Sequence, residues 1–441
     1  MEIPGDVLFC MNTLEDAGYA AYCVGGCVRD ALLGRRPHDF DLCTDATPDR
    51  IEALFSGFSL VLAGKKHGTV GVVTPTGVVE ITTFRREGGY GYNRRPDWVA
   101  FVPDLRQDLA RRDFTVNAMA YSPRRGLQDP FGGAEDLKNG ILRTVGEPET
   151  RFREDALRIL RGVRFACAYG LEPEAQTEAA MARCACLMDN LARERVFDEM
   201  CRILTAVTAE QLVRFAPVIT RAVPELGPMV GFDQRSPHHR YDLYTHTAHV
   251  VAGVPGDLTL RWAALLHDLG KPACFTLDET GRGHFKGHAK AGAPMAEAVL
   301  RRLKAPTALR EQAVLLIEQH MTRLLPDKRL LKRYLSRWGE DTVRKLLALQ
   351  RADMGGKGTG PEDDSFDRVQ ALLEEILYEG SCLSLRDLAV NGRDLMALGM
   401  SGPDIGKCLG SLLSAVVEET LPNDREALLK AAAEYQPERE G

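Results

Sequence analysis

At 441 residues the chain is too long for one hydrophobic core, so two to four domains are expected. Apolar (44%) and charged (27%) fractions are those of a globular enzyme, and a net charge of −6 excludes an evenly basic nucleic-acid binder. Eleven cysteines without a CxxC pair exclude a zinc ribbon, and no apolar run is long enough to span a bilayer.

The charge is unevenly placed. Lys and Arg outnumber acids between Arg85 and Arg112, Arg143 and Arg164, and Arg301 and Lys345, whereas the chain beyond Glu362 is mostly acidic. Such basic faces suit RNA backbone contact. The cysteine spacings (Cys23 and Cys27, Cys184 and Cys186) fit reduced, buried thiols. With no basic leader at the N-terminus, a cytoplasmic location is expected.

In chain order, residues 7–17 read as a short helix and Tyr19–Val24 as a strand ending at Gly25-Gly26. A helix carrying Val28, Leu32 and Leu33 stops at Gly34. Phe40 and Leu42 alternate with Asp39 and Asp41, which predicts a strand with both acids on one face. Strands over Thr69–Thr74 and Val78–Phe84 follow, joined by Pro75-Thr76-Gly77. Beyond Arg151 the pattern is helical, with Phe152–Tyr169 and Gln176–Met188 the clearest segments. Phe232–Arg240 is a polar loop opening a second helical block that holds most of the histidines. Gly355–Ser365 reads as a linker or mobile loop.

The stretch Val24–Leu42, VGGCVRDALLGRRPHDFDL, carries the first chemistry. Gly25 and Gly26 allow close backbone approach to a triphosphate, and the next helix turns its N-terminus toward that charge. Arg29 is placed to contact phosphates and Asp30 to brace the turn. Two carboxylates on one face, Asp39 and Asp41, suit two Mg²⁺ ions that activate a hydroxyl and neutralise a leaving pyrophosphate. Glu80, on the expected neighbouring strand, is a third candidate acid; an exposed strand glutamate is the alternative.

The order strand, GG, helix with RD, then DFD resembles the class II branch of the polymerase-β nucleotidyltransferase superfamily, which contains CCA-adding enzymes and bacterial poly(A) polymerases. ARRDFTVNA (110–118) resembles that family's ribose-recognition motif, which assigns ribose contacts to Arg112 and Asp113 and loop support to Asn117. Glu154-Asp155-Ala156-Leu157-Arg158 resembles its base-selecting motif. Cytosine and adenine each offer an amine beside a ring-nitrogen acceptor, so a carboxylate and an arginine read both bases and repel guanine and uracil, with ~1–3 kcal/mol per bidentate contact. Asp155 and Arg158, three apart on one expected helix, take that role; the competing arrangement is an ordinary Glu154–Arg158 surface pair. Arg161 and Arg164 extend the basic face toward triphosphate or RNA. Val390–Leu409 resembles the C-terminal motif of the longer bacterial members. One departure stands in the loop GGYGYNRRPD, where Tyr92 occupies the position of an expected Asp.

The histidine block resembles the HD phosphohydrolase superfamily, in the set His246, His267, Asp268 and Asp353, with His288 and His320 where binuclear members add ligands. Such donors suit Mn²⁺, Ni²⁺, Co²⁺ or Fe²⁺, and Lys271 is a candidate phosphate contact.

The resemblance implies an α+β, mostly α protein: a polymerase-β-like α/β head (1–145), a helical neck and RNA-binding region (146–232), a helical HD domain (240–355) and a helical tRNA-binding tail (356–441). The implied activity is tRNA nucleotidyl transfer from CTP and ATP with Mg²⁺, accompanied by a metal-dependent phosphatase or phosphodiesterase. Partners are tRNA, ATP and CTP, with no membrane. The alternatives are a poly(A) polymerase sharing the head, and an HD phosphohydrolase whose head only binds RNA.

Overall fold

The computed structural model describes residues 1–37, 39–91, 95–237, 239–358 and 364–435. Tyr92 lies outside them. The chain divides into two compact units, Met1–Gly227 with Arg302–Lys304, and Pro228–Arg301 with Ala305–Gly441.

The first unit is built on a seven-stranded sheet. Its strands are β1 (Ala21–Val24), β2 (Leu42–Thr44), β3 (Leu60–Val61), β4 (Thr69–Thr74), β5 (Gly77–Thr83), and, after a separate hairpin of β6 (Arg85–Gly91) and β7 (Arg95–Phe101), β8 (Ala120–Ser122) and β9 (Gly126–Gln128). The order across the sheet is β3-β4-β5-β2-β1-β8-β9. β2 runs parallel to β5, with Leu42 level with Ile81, and antiparallel to β1, with Cys23 opposite Leu42. Leu42 and Ile81 are fully buried on one face. The other face buries Tyr22, Val24, Cys43 and Phe84 against Leu109 and Val145. β2 is shorter than expected: it starts at Leu42, so Asp39 and Asp41 stand on its lead-in. The ladder still reaches Asp41, whose carbonyl accepts from the Val24 N–H at 3.0 Å.

The helix expected over Phe152–Tyr169 is two helices, Pro148–Glu154 and Leu157–Tyr169. Asp155 between them is extended (φ −142°, ψ 105°), and its carboxylate caps the second helix by accepting from Leu157 N–H at 3.0 Å. An aspartate that can bond the backbone this way competes with helix continuation, which periodicity does not register.

The second unit is helical. Leu243–Gly253, Leu258–Leu266, His288–Arg302, Thr307–Gln319 and Lys328–Gly356 pack around Trp262, Leu265, Leu316, Ile317 and Leu346, all fully buried. Each such apolar side chain contributes about 1.5–3 kcal/mol on burial. Small residues set the close approaches. A Cβ on Gly356 would lie 2.9 Å from Val250 and 3.3 Å from His246, so Leu243–Gly253 and Lys328–Gly356 meet only because that position is bare. After Ser365–Tyr378, a smaller cluster of Leu388, Val390, Leu395, Cys408, Leu412 and Leu428 closes the C-terminal helices. Among the described residues no helix is long and apolar enough to cross a membrane.

Candidate functional site

Two clusters of chemistry-bearing side chains form, one in each unit. In the first, Gly25 turns the chain between β1 and the helix Gly26–Leu32 at φ 80°, a conformation that favours glycine. A Cβ there would sit 2.9 Å from Nη1 of Arg112, so the arginine lies directly over the turn. Nε of Arg112 is buried without a hydrogen-bond acceptor among the described residues. Asp39 and Asp41 are both exposed, two residues apart in the chain that leads into β2. Desolvation raises the Asp41 carboxyl above its ordinary value, Arg112 opposes the rise, and Asp39 adds to it. Glu80 is exposed one step before Ile81, as Asp41 is one step before Leu42, so the parallel register sets the two acids side by side on one face.

The ribose-motif residues form a buried lattice behind this edge. Asp113 accepts from Phe114 N–H (2.8 Å) and from Asn117 Nδ2 (3.2 Å) through Oδ1, and from Arg161 (2.6 Å) through Oδ2. Burial alone would raise its pKa, but Arg161 and Arg158 outweigh that and hold it at about 2. Arg164 donates to Glu199 at 2.7 Å and lies over the Phe165 ring.

Arg29 departs from the expected open phosphate contact. It is buried and donates to Asp30 (2.8 Å), Asn117 (2.6 Å) and Tyr169 (2.5 Å), with its guanidinium 4.1 Å from the Tyr169 ring centroid. The expected shared helix face of Asp155 and Arg158 is also corrected, because the helix breaks at Asp155. Asp155 Oδ2 accepts from Arg195 at 3.0 Å, a partner with no signature in sequence spacing. Arg158 donates to Glu154 (2.6 Å) and to the carbonyls of Arg151 (3.2 Å) and Arg111 (2.8 Å). The Glu154–Arg158 pair therefore forms, but it is largely buried rather than on the surface.

The second cluster gathers all six expected residues. His246 projects from Leu243–Gly253, His267 and Asp268 follow Leu258–Leu266, His288 opens its helix, His320 follows Thr307–Gln319, and Asp353 belongs to Lys328–Gly356. Nε2 of His246 lies 3.5 Å from Asp268 and 3.0 Å from Asp353, and Nε2 of His267 lies 3.1 Å from Asp268. The other Asp268 oxygen is 3.3 Å from His288 and 3.9 Å from His320, whose ring nitrogens are 3.1 Å apart. Two donors each about 2.1 Å from one cation, at right angles, would be about 3 Å apart. Nε2 of His246 and His267 and both Asp268 oxygens are buried without properly directed hydrogen bonds among the described residues, as expected of lone pairs converging on a common centre. Nδ1 of His267, His288 and His320 face the carbonyls of Ala264, Phe285 and Ile317 at 2.6–2.8 Å, which fixes each ring with Nε2 inward. The donors form two triads sharing Asp268: His246–His267–Asp268 and Asp268–His288–His320.

Burial disfavours protonated His267, yet Asp268 and Asp353 push it up to about 10; His320, buried beside His267, falls to about 4. Lys271 pairs with Asp268 at 2.7 Å. A cavity of about 490 Å³ opens over the cluster, lined also by Lys286, Lys357 and His239. His239 had no spacing signal, because it lies in the polar loop; its ring is 5.4 Å from that of His246.

Residues 21–143 match the poly A polymerase head domain, 170–214 the probable RNA- and SrmB-binding site of polymerase A, and 289–432 tRNA nucleotidyltransferase domain 2. The chain is 35% identical over 431 residues to a CCA-adding enzyme of Levilactobacillus brevis (96% of each chain). It is 35% identical to that of Latilactobacillus sakei (97% of each). The Bacillus stearothermophilus CCA-adding enzyme solved with CTP superposes with a TM-score of 0.74 over 98% of both chains at 28% identity. With its glycine turn, paired carboxylates and helical body, the chain belongs to the CCA-adding enzyme family.

Proposed function

We propose that the chain completes the 3′ end of tRNA, transferring CMP and then AMP from CTP and ATP, with Asp39 and Asp41 as the Mg²⁺-holding carboxylates. The observation that carries the assignment of these residues is the exposed Asp39–Asp41 pair just ahead of β2, with the Asp41 carboxyl raised by desolvation and by Asp39 and held within the field of Arg112, which lies over the Gly25 turn. Two repelling carboxylates open to solvent fit a cation. Mg²⁺ bound there supplies acidity to the attacking 3′-hydroxyl and countercharge to the departing pyrophosphate. Arg112, whose side chain stays partly exposed over the Gly25 turn, donates to nucleotide oxygens. Asp113, Asn117 and Arg161 hold the segment after Arg112 rigid, and Arg29 fixes Asn117 from behind. Asp155 and Arg158 read the base, each held in place by its own partners. The functional partition is head (1–145), neck (146–232), HD domain (240–355) and tail (356–441).

Incubating the protein with tRNA lacking its 3′ CCA, and CTP and ATP together or singly, tests this. CTP alone should add two residues, both together three, and ATP alone should build no long tail; a long tail would favour the poly(A) alternative. Asp39→Ala or Asp41→Ala should lower incorporation of both nucleotides at least 1,000-fold (roughly 4 kcal/mol) while tRNA binding in a filter assay persists. Substantial CMP incorporation by Asp41→Ala would remove the assignment.

The convergence of six ligands in the second unit favours an additional reading, hydrolysis of phosphate esters. His246, His267, Asp268, His288, His320 and Asp353 would hold Mn²⁺, Ni²⁺, Co²⁺ or Fe²⁺, which would lower the pKa of a bound water enough to supply hydroxide as the nucleophile near neutral pH. Lys271 and Lys357 offer charge to the phosphate. Hydrolysis of 2′,3′-cyclic or 2′-phosphate ends with these metals should vanish in the doubly substituted His267→Ala, Asp268→Ala protein, which still extends a clean tRNA end. Equal hydrolysis by that variant would refute the reading.

A further inference from the structure

The cation excess between Arg301 and Lys345 centres on Lys328–Trp338, the first half of a helix that breaks at Gly339 (φ 78°, ψ 163°). Arg329, Arg333 and Arg337 recur every fourth residue and are exposed. At 1.5 Å per residue they form a line of guanidinium groups about 12 Å long. Leu330, Tyr334 and Trp338 run beside them with the same spacing, all half-buried, while Leu331 and Leu335 point into the core. The Tyr334 and Trp338 rings are stacked, 4.8 Å between centroids and 11° apart in plane, and the Arg337 guanidinium lies 5.6 Å from the Trp338 centroid.

The lysines of the same helix behave differently. Lys328 bonds Glu375 (2.8 Å) and Glu379 (2.7 Å), and Lys332 bonds Glu419 (2.9 Å), fastening the helix to its neighbours. The arginines are held loosely: Arg329 is 3.4 Å from Glu419 and Arg333 3.8 Å from Glu418. Exposed pairs of that kind contribute little, so a phosphate can displace the acids.

We infer that this face is an RNA contact surface, with Arg329, Arg333 and Arg337 on backbone phosphates and an unpaired base laid on the Tyr334–Trp338 stack. The occupant is tRNA, so the inference rests on the reading of the chain as a tRNA-extending enzyme. Guanidinium forks match phosphate oxygens in two-point contacts. Splayed bases stack on aromatic rings next to such a backbone track. An acidic peptide would use the arginines and leave the aromatic stack idle.

The test uses the full chain and tRNA lacking its CCA. In the triple variant Arg329→Ala, Arg333→Ala, Arg337→Ala, the slope of log K for tRNA against log salt should flatten by about 2–3, and the KM for tRNA should rise tenfold or more, with the KM for CTP kept. Trp338→Ala should weaken tRNA binding roughly fivefold or more, and Trp338→Phe should restore most of it. Titrating tRNA should quench tryptophan emission in the wild type, and Trp338→Phe should lose much of that quenching. Should the triple variant unfold, Arg337→Ala alone should flatten the slope by about 1. An unchanged slope and KM in a folded variant, or undiminished quenching in Trp338→Phe, would overturn the proposal. Wild-type CMP incorporation is scored separately, so failure of the tRNA-extension reading is visible by itself.

Discussion

At the scale of single residues, the site depends on which arginines are spent internally and which remain open. Arg29, Arg158 and Arg161 donate to Asn117, Glu154 and Asp113, and are scaffolding as much as contact, whereas Arg112 keeps an unpaired Nε over the Gly25 turn. The sequence names these residues but not their state, because an arginine's partners come from segments up to 140 residues away. Asp155 illustrates the point. Its motif is legible, but its hold by Arg195 is not. Asp155→Ala should let UTP or GTP enter ~5- to 150-fold more readily relative to CTP, the loss of about 1–3 kcal/mol of discrimination. Arg195→Ala should relax the choice in the same direction by less, because Asp155 keeps its bond to Leu157. Misincorporation measured with each nucleotide alone checks both; unchanged selectivity in Asp155→Ala would place base reading elsewhere.

Among elements, glycines decide which helices can bring ligands together. A Cβ on Gly270 would fall 2.2 Å from the His288 carbonyl and 2.7 Å from the Gly292 nitrogen, both backbone atoms that cannot swing aside. Gly270→Ala should therefore push the His288–Arg302 helix from the His267–Asp268 turn. The expected outcome is a loss of at least 2–3 kcal/mol in unfolding free energy, as for overpacked cores, and weaker Mn²⁺ binding by calorimetry, with CMP incorporation kept. Wild-type Mn²⁺ affinity in that variant would mean the two elements do not share ligands. Strongly patterned elements, such as Gly5–Asp16 and Thr69–Thr74, were legible within about two residues. The two-residue β3 and the break at Asp155 were not, since the first is set by sheet pairing and the second by a side chain capping a backbone. The resemblance to HD phosphohydrolases named the six candidate donors; their convergence from five elements is a product of tertiary packing.

For the whole molecule, the division into two units separates nucleotidyl transfer from the histidine cluster. A ligand that binds only the folded state stabilises the unit that holds it, by ~2.7 kcal/mol at 100 times its dissociation constant. Calorimetric unfolding with Ni²⁺ added over a Mg²⁺ background should move the transition of the second unit upward and leave the other in place, and a chelator should reverse the shift. Movement of both transitions together, or of neither, would contradict this. The sharing of Asp268 between the two triads has a genetic consequence. A change at His246 or His288 strikes one triad, but a change in the codon for Asp268 strikes both. The proposed hydrolysis can thus be lost in one step, with the residues of the head untouched.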